Sequence, residues 1–267
     1  MQMAPPPSVH SQDLSIPGPL GALRLRLYHP GVSTPALPVV LYFHGGGFVA
    51  GSLEEASATA CFIARHTPAL VISADYALAP AHPFPAAPED AYAAACWAEG
   101  HASGFGADAT RMAVAGDDAG DNLAAALPLI TRDRSGPRLA AQALICPMLD
   151  PGMTRLGDSR TLDSDLDART CAARYRQYLP HPLQRMHPYA SPLASTRHAG
   201  LPPALILTAG CDVLHAEAEK YAGLLIRSGV PTQVRRYADV KHAALASHPP
   251  ALDEITHFLR RQFRCDA

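Results

Sequence analysis

The sequence predicts an α/β fold, a mainly parallel central sheet flanked by helices and interrupted by one inserted helical cap. Three observations carry this. Short, wholly apolar runs alternate with segments of helical spacing, as βαβ units do. Glycine-rich turns stand at the ends of several of those runs. One stretch, about residues 150–198, breaks the alternation and lacks any buried run.

The first dozen residues are Pro-rich and polar, and read as a loose arm. Leu20–Tyr28 alternates apolar and polar side chains, the period of a half-buried antiparallel strand. Leu37–Phe43 is continuously apolar, as in a strand covered on both faces, and it ends at Gly45-Gly46-Gly47. Residues 54–66 have helical spacing, Leu70–Ala74 is a second buried run, and residues 85–99 form a helix entered through prolines. Arg111–Ala115 is a short strand leading into Gly116-Asp117-Asp118-Ala119-Gly120 and an Ala/Leu helix. Residues 141–146 and 204–207 complete the buried runs, and residues 233–237 add an alternating one. The interrupting stretch is rich in Arg, Asp, Pro and Tyr, which suits a cap. One domain spanning 1–267, with the insertion at 150–198, is the expected organisation.

At 267 residues the chain is long enough for a substantial core, and 48% hydrophobic against 17% charged residues excludes a disordered chain. A formal charge of −2 gives no pull towards nucleic acid or an anionic membrane. No apolar run reaches the roughly 20 residues of a membrane span, and Met1–Pro7 has no signal-peptide character. Cys61, Cys96, Cys146, Cys171, Cys211 and Cys265 show neither disulfide-framework nor metal-ligand spacing, so reduced thiols and a cytoplasmic protein are expected. No cofactor or metal is expected. The expected partner is a small molecule, with the oligomeric state open.

Ligands of open parallel sheets bind beyond the carboxyl ends of the strands, and the unusual residues of this chain fall there. His44-Gly45-Gly46-Gly47 can turn backbone N–H groups towards one point, as an oxyanion hole requires. Gly116-x-Asp118-x-Gly120, between a strand and a helix, permits a strained elbow that lifts the central side chain above the sheet. Asp212 follows the run at 204–207, and His242 follows the last strand. The order is nucleophile position, acid, histidine.

On these motifs the chain resembles the hormone-sensitive-lipase-like branch of the α/β-hydrolases, which includes many bacterial carboxylesterases. The likeness extends over about residues 37–260. The family's HGGG stands at 44–47, and its YRLAPEHPFPA block appears as YALAPAHPFPA at 76–86, with Ala77 and Ala81 in place of Arg and Glu. YASPL at 189–193 and LPPAL at 201–205 are intact, and DVLHAE at 212–217 stands for DPLRDE. The resemblance implies an α/β-hydrolase fold, a catalytic trio at Asp118, Asp212 and His242, and an oxyanion hole from the Gly45, Gly46 and Ala119 amides. It also exposes one departure. The family's elbow is GDSAGGN; here it is Gly-Asp-Asp-Ala-Gly-Asp-Asn at 116–122, with Asp118 at the serine position.

A carboxylate needs no base to become a nucleophile. Attack on an ester carbonyl would give an anhydride and expel a poorer leaving group than the carboxylate itself, so ordinary esterase turnover should be weak. Losing the serine of a comparable trio costs about a millionfold. Attack on a saturated carbon instead gives an alkyl-enzyme ester, which His242, oriented by Asp212, can hydrolyse with water. Epoxide hydrolases and haloalkane dehalogenases, in other branches of the superfamily, work this way. Tyr175, Tyr178 and Tyr189, in or beside the cap, favour an epoxide-type reaction on a small apolar substrate, since an opening epoxide needs an acid near its oxygen. Ordinary cap packing with a solvated hydroxyl is the commoner role of each such tyrosine. Two other readings stay open: a weak esterase in which His242 acts on water directly, and a ligand-binding protein or lyase using Asp118 or His242 as base. Among neighbouring residues, Asp117 is read as structural, Asp121 as a first-turn helix residue, His44 as a positioning group and Cys211 as packing, with Asp239 the runner-up to Asp212 as the acid.

Overall fold

The computed structural model describes residues 8–32, 36–158 and 161–264. Eight strands form one sheet: β1 (His10–Gly18), β2 (Gly21–His29), β3 (Leu37–Phe43), β4 (Leu70–Ala74), β5 (Ala107–Asp117), β6 (Ala141–Ile145), β7 (Ala204–Cys211) and β8 (Thr232–Lys241), in the order β1-β2-β4-β3-β5-β6-β7-β8. β1–β2 and β2–β4 pair antiparallel; all other neighbours are parallel. The expected α/β-hydrolase architecture is therefore present.

The runs of unbroken apolar residues become the central strands because both faces of the sheet are covered. β3 is buried at all seven positions. Its Val39, Leu41 and Phe43 join the core beneath α2 (Ala86–His101), α3 (Ala119–Asp133) and α5 (His215–Arg227), whereas Val40 and Tyr42 face α1 (Leu53–His66) and α6 (Pro249–Arg264). Local chemistry fixes the helix starts. Ser52 Oγ accepts the Glu55 N–H at 3.2 Å and starts α1. Asp167 does the same for α4 (Ala168–Tyr178), accepting the Thr170 N–H at 2.7 Å.

One expectation is corrected. The expected loose arm is, from His10 onwards, an edge strand paired with β2 from His10↔His29 to Gly18↔Gly21. Its polar residues face water and only Ile16 is buried, so its composition reads as loop; residues 1–7 lie outside the described part. The stretch 150–198 has mixed structure. It holds α4 and two 3₁₀ turns, Pro182–Met186 and Pro192–Ala194, among irregular segments. No helix among the described residues is long and apolar enough to cross a membrane. The five described cysteines are unpaired, and Cys265 lies outside the described residues.

Candidate active site

The elbow between β5 and α3 lifts Asp118 above the sheet. Its backbone sits at φ 51°, ψ −113°, a region that costs a non-glycine residue free energy and is held only by its surroundings. Two hydrogen bonds hold it: Asp118 N donates to the Ile145 carbonyl at 3.1 Å, and the Asp118 carbonyl accepts from Met148 N at 3.1 Å. The glycines at 116 and 120 allow the close approach, since a Cβ on Gly120 would strike the Phe43 and His44 carbonyl oxygens.

The two other members converge on this point. Asp212, fully buried beyond β7, accepts from His242 Nδ1 at 2.9 Å and from Leu214 N at 3.0 Å. The ring's other nitrogen, Nε2, lies 3.7 Å from Asp118 Oδ1. Burial pulls the His242 pKa down, but the Asp212 hydrogen bond and the charges of Asp118, Asp212 and Asp165 outweigh it and raise the pKa to about 9. Asp239 makes no such approach.

The glycine turn faces Asp118 one residue later than the sequence suggested. Asp118 Oδ2 accepts the N–H groups of Gly46 at 3.0 Å and Gly47 at 2.8 Å. The Gly45 amide is turned to the Asp117 carboxylate instead. The difference arises from the backbone, with φ +116° at Gly46 and +62° at Gly47. Ala119, wholly buried, is the first residue of α3 and contributes the positive end of the helix. His44 is held by Tyr76: its ring stacks on Tyr76 at 4.3 Å, and the Tyr76 hydroxyl donates to the His44 carbonyl at 2.7 Å.

Beneath the elbow lie two more carboxyls. Asp117 accepts from the Tyr42 hydroxyl at 2.7 Å, and burial pushes its pKa up to about 6. Asp121 is fully buried with neither oxygen hydrogen-bonded among the described residues, and burial pushes it well above the carboxylate range. Farther out, Glu217 Oε1 accepts the Leu149 and Asp150 amides at 2.6 and 3.3 Å and fixes the turn after β6.

A cavity of about 310 Å³ opens over Asp118 and His242. Its walls include the charged residues Arg174, Asp165 and Glu55. The three cap tyrosines lie outside its lining. Tyr178 stacks on Phe48 at 3.8 Å, Tyr175 is buried, and Tyr189 donates to Asp133 at 2.9 Å. Two residues escaped the sequence reading. Arg174, on α4, brings Nη1 to 3.7 Å from Asp118 Oδ2. Cys146, with φ 54°, offers its thiol so that one donor atom each from Cys146, Asp212 and His242 lies within 4.8 Å of the others. Only their position at strand ends hints at such a meeting.

Comparison with known proteins identifies the family. Residues 40–246 match a family model described as an α/β-hydrolase fold. The chain is 39% identical over 260 residues to the esterase LipI of Mycobacterium tuberculosis, covering 94% of this chain and 80% of that protein. It is 37% identical over 230 residues to an ethyl acetate hydrolase of Pseudomonas putida, covering 82% and 70%. Among solved structures, a hyperthermophilic esterase of Pyrobaculum calidifontis superposes with a TM-score of 0.89 at 39% identity, covering 96% of this chain and 84% of that one. The chain is a member of the α/β-hydrolase family.

Proposed function

We propose that this hydrolase works through a covalent alkyl-enzyme, with Asp118 as nucleophile and the Asp212–His242 pair activating water. The observation that carries this reading is the inequivalence of the two Asp118 oxygens. Oδ2 rests between the Gly46 and Gly47 amides, while Oδ1 has no hydrogen-bond partner among the described residues and faces His242. Oδ1 is thus free to attack, and Oδ2 already sits where the carbonyl oxygen of the resulting ester belongs.

In the first step Oδ1 attacks a saturated carbon, and the bond to the leaving group breaks with its electron pair. Asp118 is then a neutral ester. The charge that helped to raise His242 is gone, so His242 loses its proton more readily and becomes the base for the second step. Water attacks the Asp118 carbonyl carbon, giving its proton to His242 Nε2. The negative charge gathers on Oδ2, where the Gly46 and Gly47 amides, with Ala119 at the helix start, stabilise it. Collapse expels the product alkoxide, which takes the proton from His242. The product leaves with the former Oδ1, and the water oxygen stays on Asp118.

None of the three cap tyrosines lines the cavity, which removes the acid that favoured an epoxide. A leaving group that departs as a stable anion, such as halide, suits the site better. The esterase names of the relatives favour a second reading, residual ester hydrolysis with His242 acting on water. The carboxylate in the amide pair opposes it, because an ester's developing oxyanion would have to displace Asp118.

The test is intact-protein mass spectrometry of the His242→Ala variant after exposure to alkyl halides, epoxides and p-nitrophenyl esters. An adduct of one alkyl group mapped to Asp118 is expected. Ester turnover that survives Asp118→Asn undiminished, with no adduct from any electrophile, would select the esterase reading.

A further inference from the structure

The strongest feature left unused by this chemistry is Arg174. It is the one Arg or Lys among the described residues lining the cavity. Its place is built by two elements. On α4, Cys171, Tyr175 and Tyr178 are buried against the body of the protein, and Arg174, three residues after Cys171 and four before Tyr178, shares their side of the helix. Its stem crosses Gly47 so closely that a Cβ there would collide with Arg174 Cδ. A cation on the inward side of a helix, seated over a bare glycine, is held in the site.

Its donors are nonetheless unused. Arg174 makes no hydrogen bond to any described residue, and its approach to Asp118 is a 3.7 Å ion pair to an oxygen that already accepts two amide N–H groups. The guanidinium fork can therefore donate to a ligand in the cavity while Asp118 is still ionised. The carboxylate of Asp165, on the same wall, is occupied by the His242 and Ala243 amides at 3.1 and 3.2 Å, and does not compete for it. A planar fork of N–H donors matches a carboxylate, which it can bind in bidentate fashion.

We infer that Arg174 binds the carboxylate of an anionic substrate, so that the electrophile is a small carboxylic acid bearing its leaving group on the neighbouring saturated carbon, of the 2-haloalkanoate class. This deepens the Asp118 reading and rests on it for the reaction, though not for the binding. Once the carboxylate is held by Arg174, its α-carbon falls within reach of Oδ1, and anion recognition and attack come from adjacent groups.

The test has two arms. Equilibrium binding of unreactive propanoate and of propanamide is measured by ligand-observed NMR on the parent protein, Arg174→Gln and Arg174→Lys. Propanoate should bind the parent, weaken about tenfold or more in Arg174→Gln, and fall between in Arg174→Lys, which keeps charge and stem but loses the fork. Propanamide should be weak throughout. In the second arm, the His242→Ala variant with and without Arg174→Gln is exposed to 2-bromopropanoate or 2-bromopropanamide, and the Asp118 adduct is followed by mass. The Gln substitution should slow only the acid. Propanoate binding unchanged in Arg174→Gln, or equal slowing of acid and amide, would overturn the assignment. No adduct from either, with propanoate binding still dependent on Arg174, would defeat the Asp118 mechanism and leave the anion site standing.

Discussion

Asp118 occupies the Gly46–Gly47 amide pair with its own carboxylate, a contact that a serine at this position could not make. A serine Oγ carries no second oxygen to place there, so the same amides would be left for the substrate. Changing Asp118 to Ser should therefore free the amide pair. It also removes one of the charges that hold His242 high, so the ring becomes neutral closer to pH 7. Hydrolysis of p-nitrophenyl acetate should rise at least a hundredfold over the parent, about the value of an oxyanion-hole donor. Initial rates read at 405 nm report it. An unchanged rate would mean that the amide pair and the Asp212–His242 pair do not serve a nucleophile at 118.

At the scale of elements, legibility follows burial. β3, β4 and β6 could be read to within a few residues because each is wholly apolar, which only a strand covered on both faces requires. β1 could not, because an edge strand leaves its polar side chains in water and borrows its order from pairing with β2. Asp118, Asp212 and His242 were legible as a set because each ends a readable strand. The amide register was not: three consecutive glycines are chemically identical, and only their dihedral angles choose Gly46 and Gly47 over Gly45. Arg174 was one arginine among many in an irregular segment, and its meaning depends on α4 docking over Gly47. That same docking logic gives a test of the elbow. At Gly120 a Cβ meets the Phe43 and His44 backbone carbonyls at the end of β3, which cannot rotate aside, whereas at Gly223 in α5 the nearest atom, at 3.4 Å, is the flexible tip of Arg227. Gly120→Ala should cost about 3 kcal/mol by overpacking, and Gly223→Ala should gain up to about 1 kcal/mol from helix propensity. Urea unfolding of the two variants compares them directly; equal effects would refute the close-approach account of the elbow.

Across the whole molecule, the titratable groups fall into two sets with opposite consequences for stability. Asp13 and Asp133 are held low by hydrogen bonds from Arg26 and Arg197, and Asp108 by Thr110; their contribution is present above pH 4 and is lost in acid. These groups lie near the surface, where solvent screening keeps each contribution small. The buried set lies around the elbow and the turn after β6, and acts on the alkaline side. Burial raises Asp117, Asp121 and Glu217, so the unfolded chain gives up their protons first, and stability falls as pH rises above about 4. His242 is raised to about 9, so the stability it contributes is complete below about 6.5 and disappears as pH climbs towards 9. The unfolding midpoint in urea should therefore be highest in mildly acidic solution and decline steadily from pH 6 to 9. Asp121 gives this slope a separable source, since neither of its oxygens is hydrogen-bonded among the described residues. Asp121→Asn keeps the volume but cannot ionise. It should flatten the alkaline decline and raise the urea midpoint at pH 8 above the parent's. A pH profile parallel to the parent's would show that Asp121 bears no part of the slope, leaving Asp117, Glu217 and His242 as its origin.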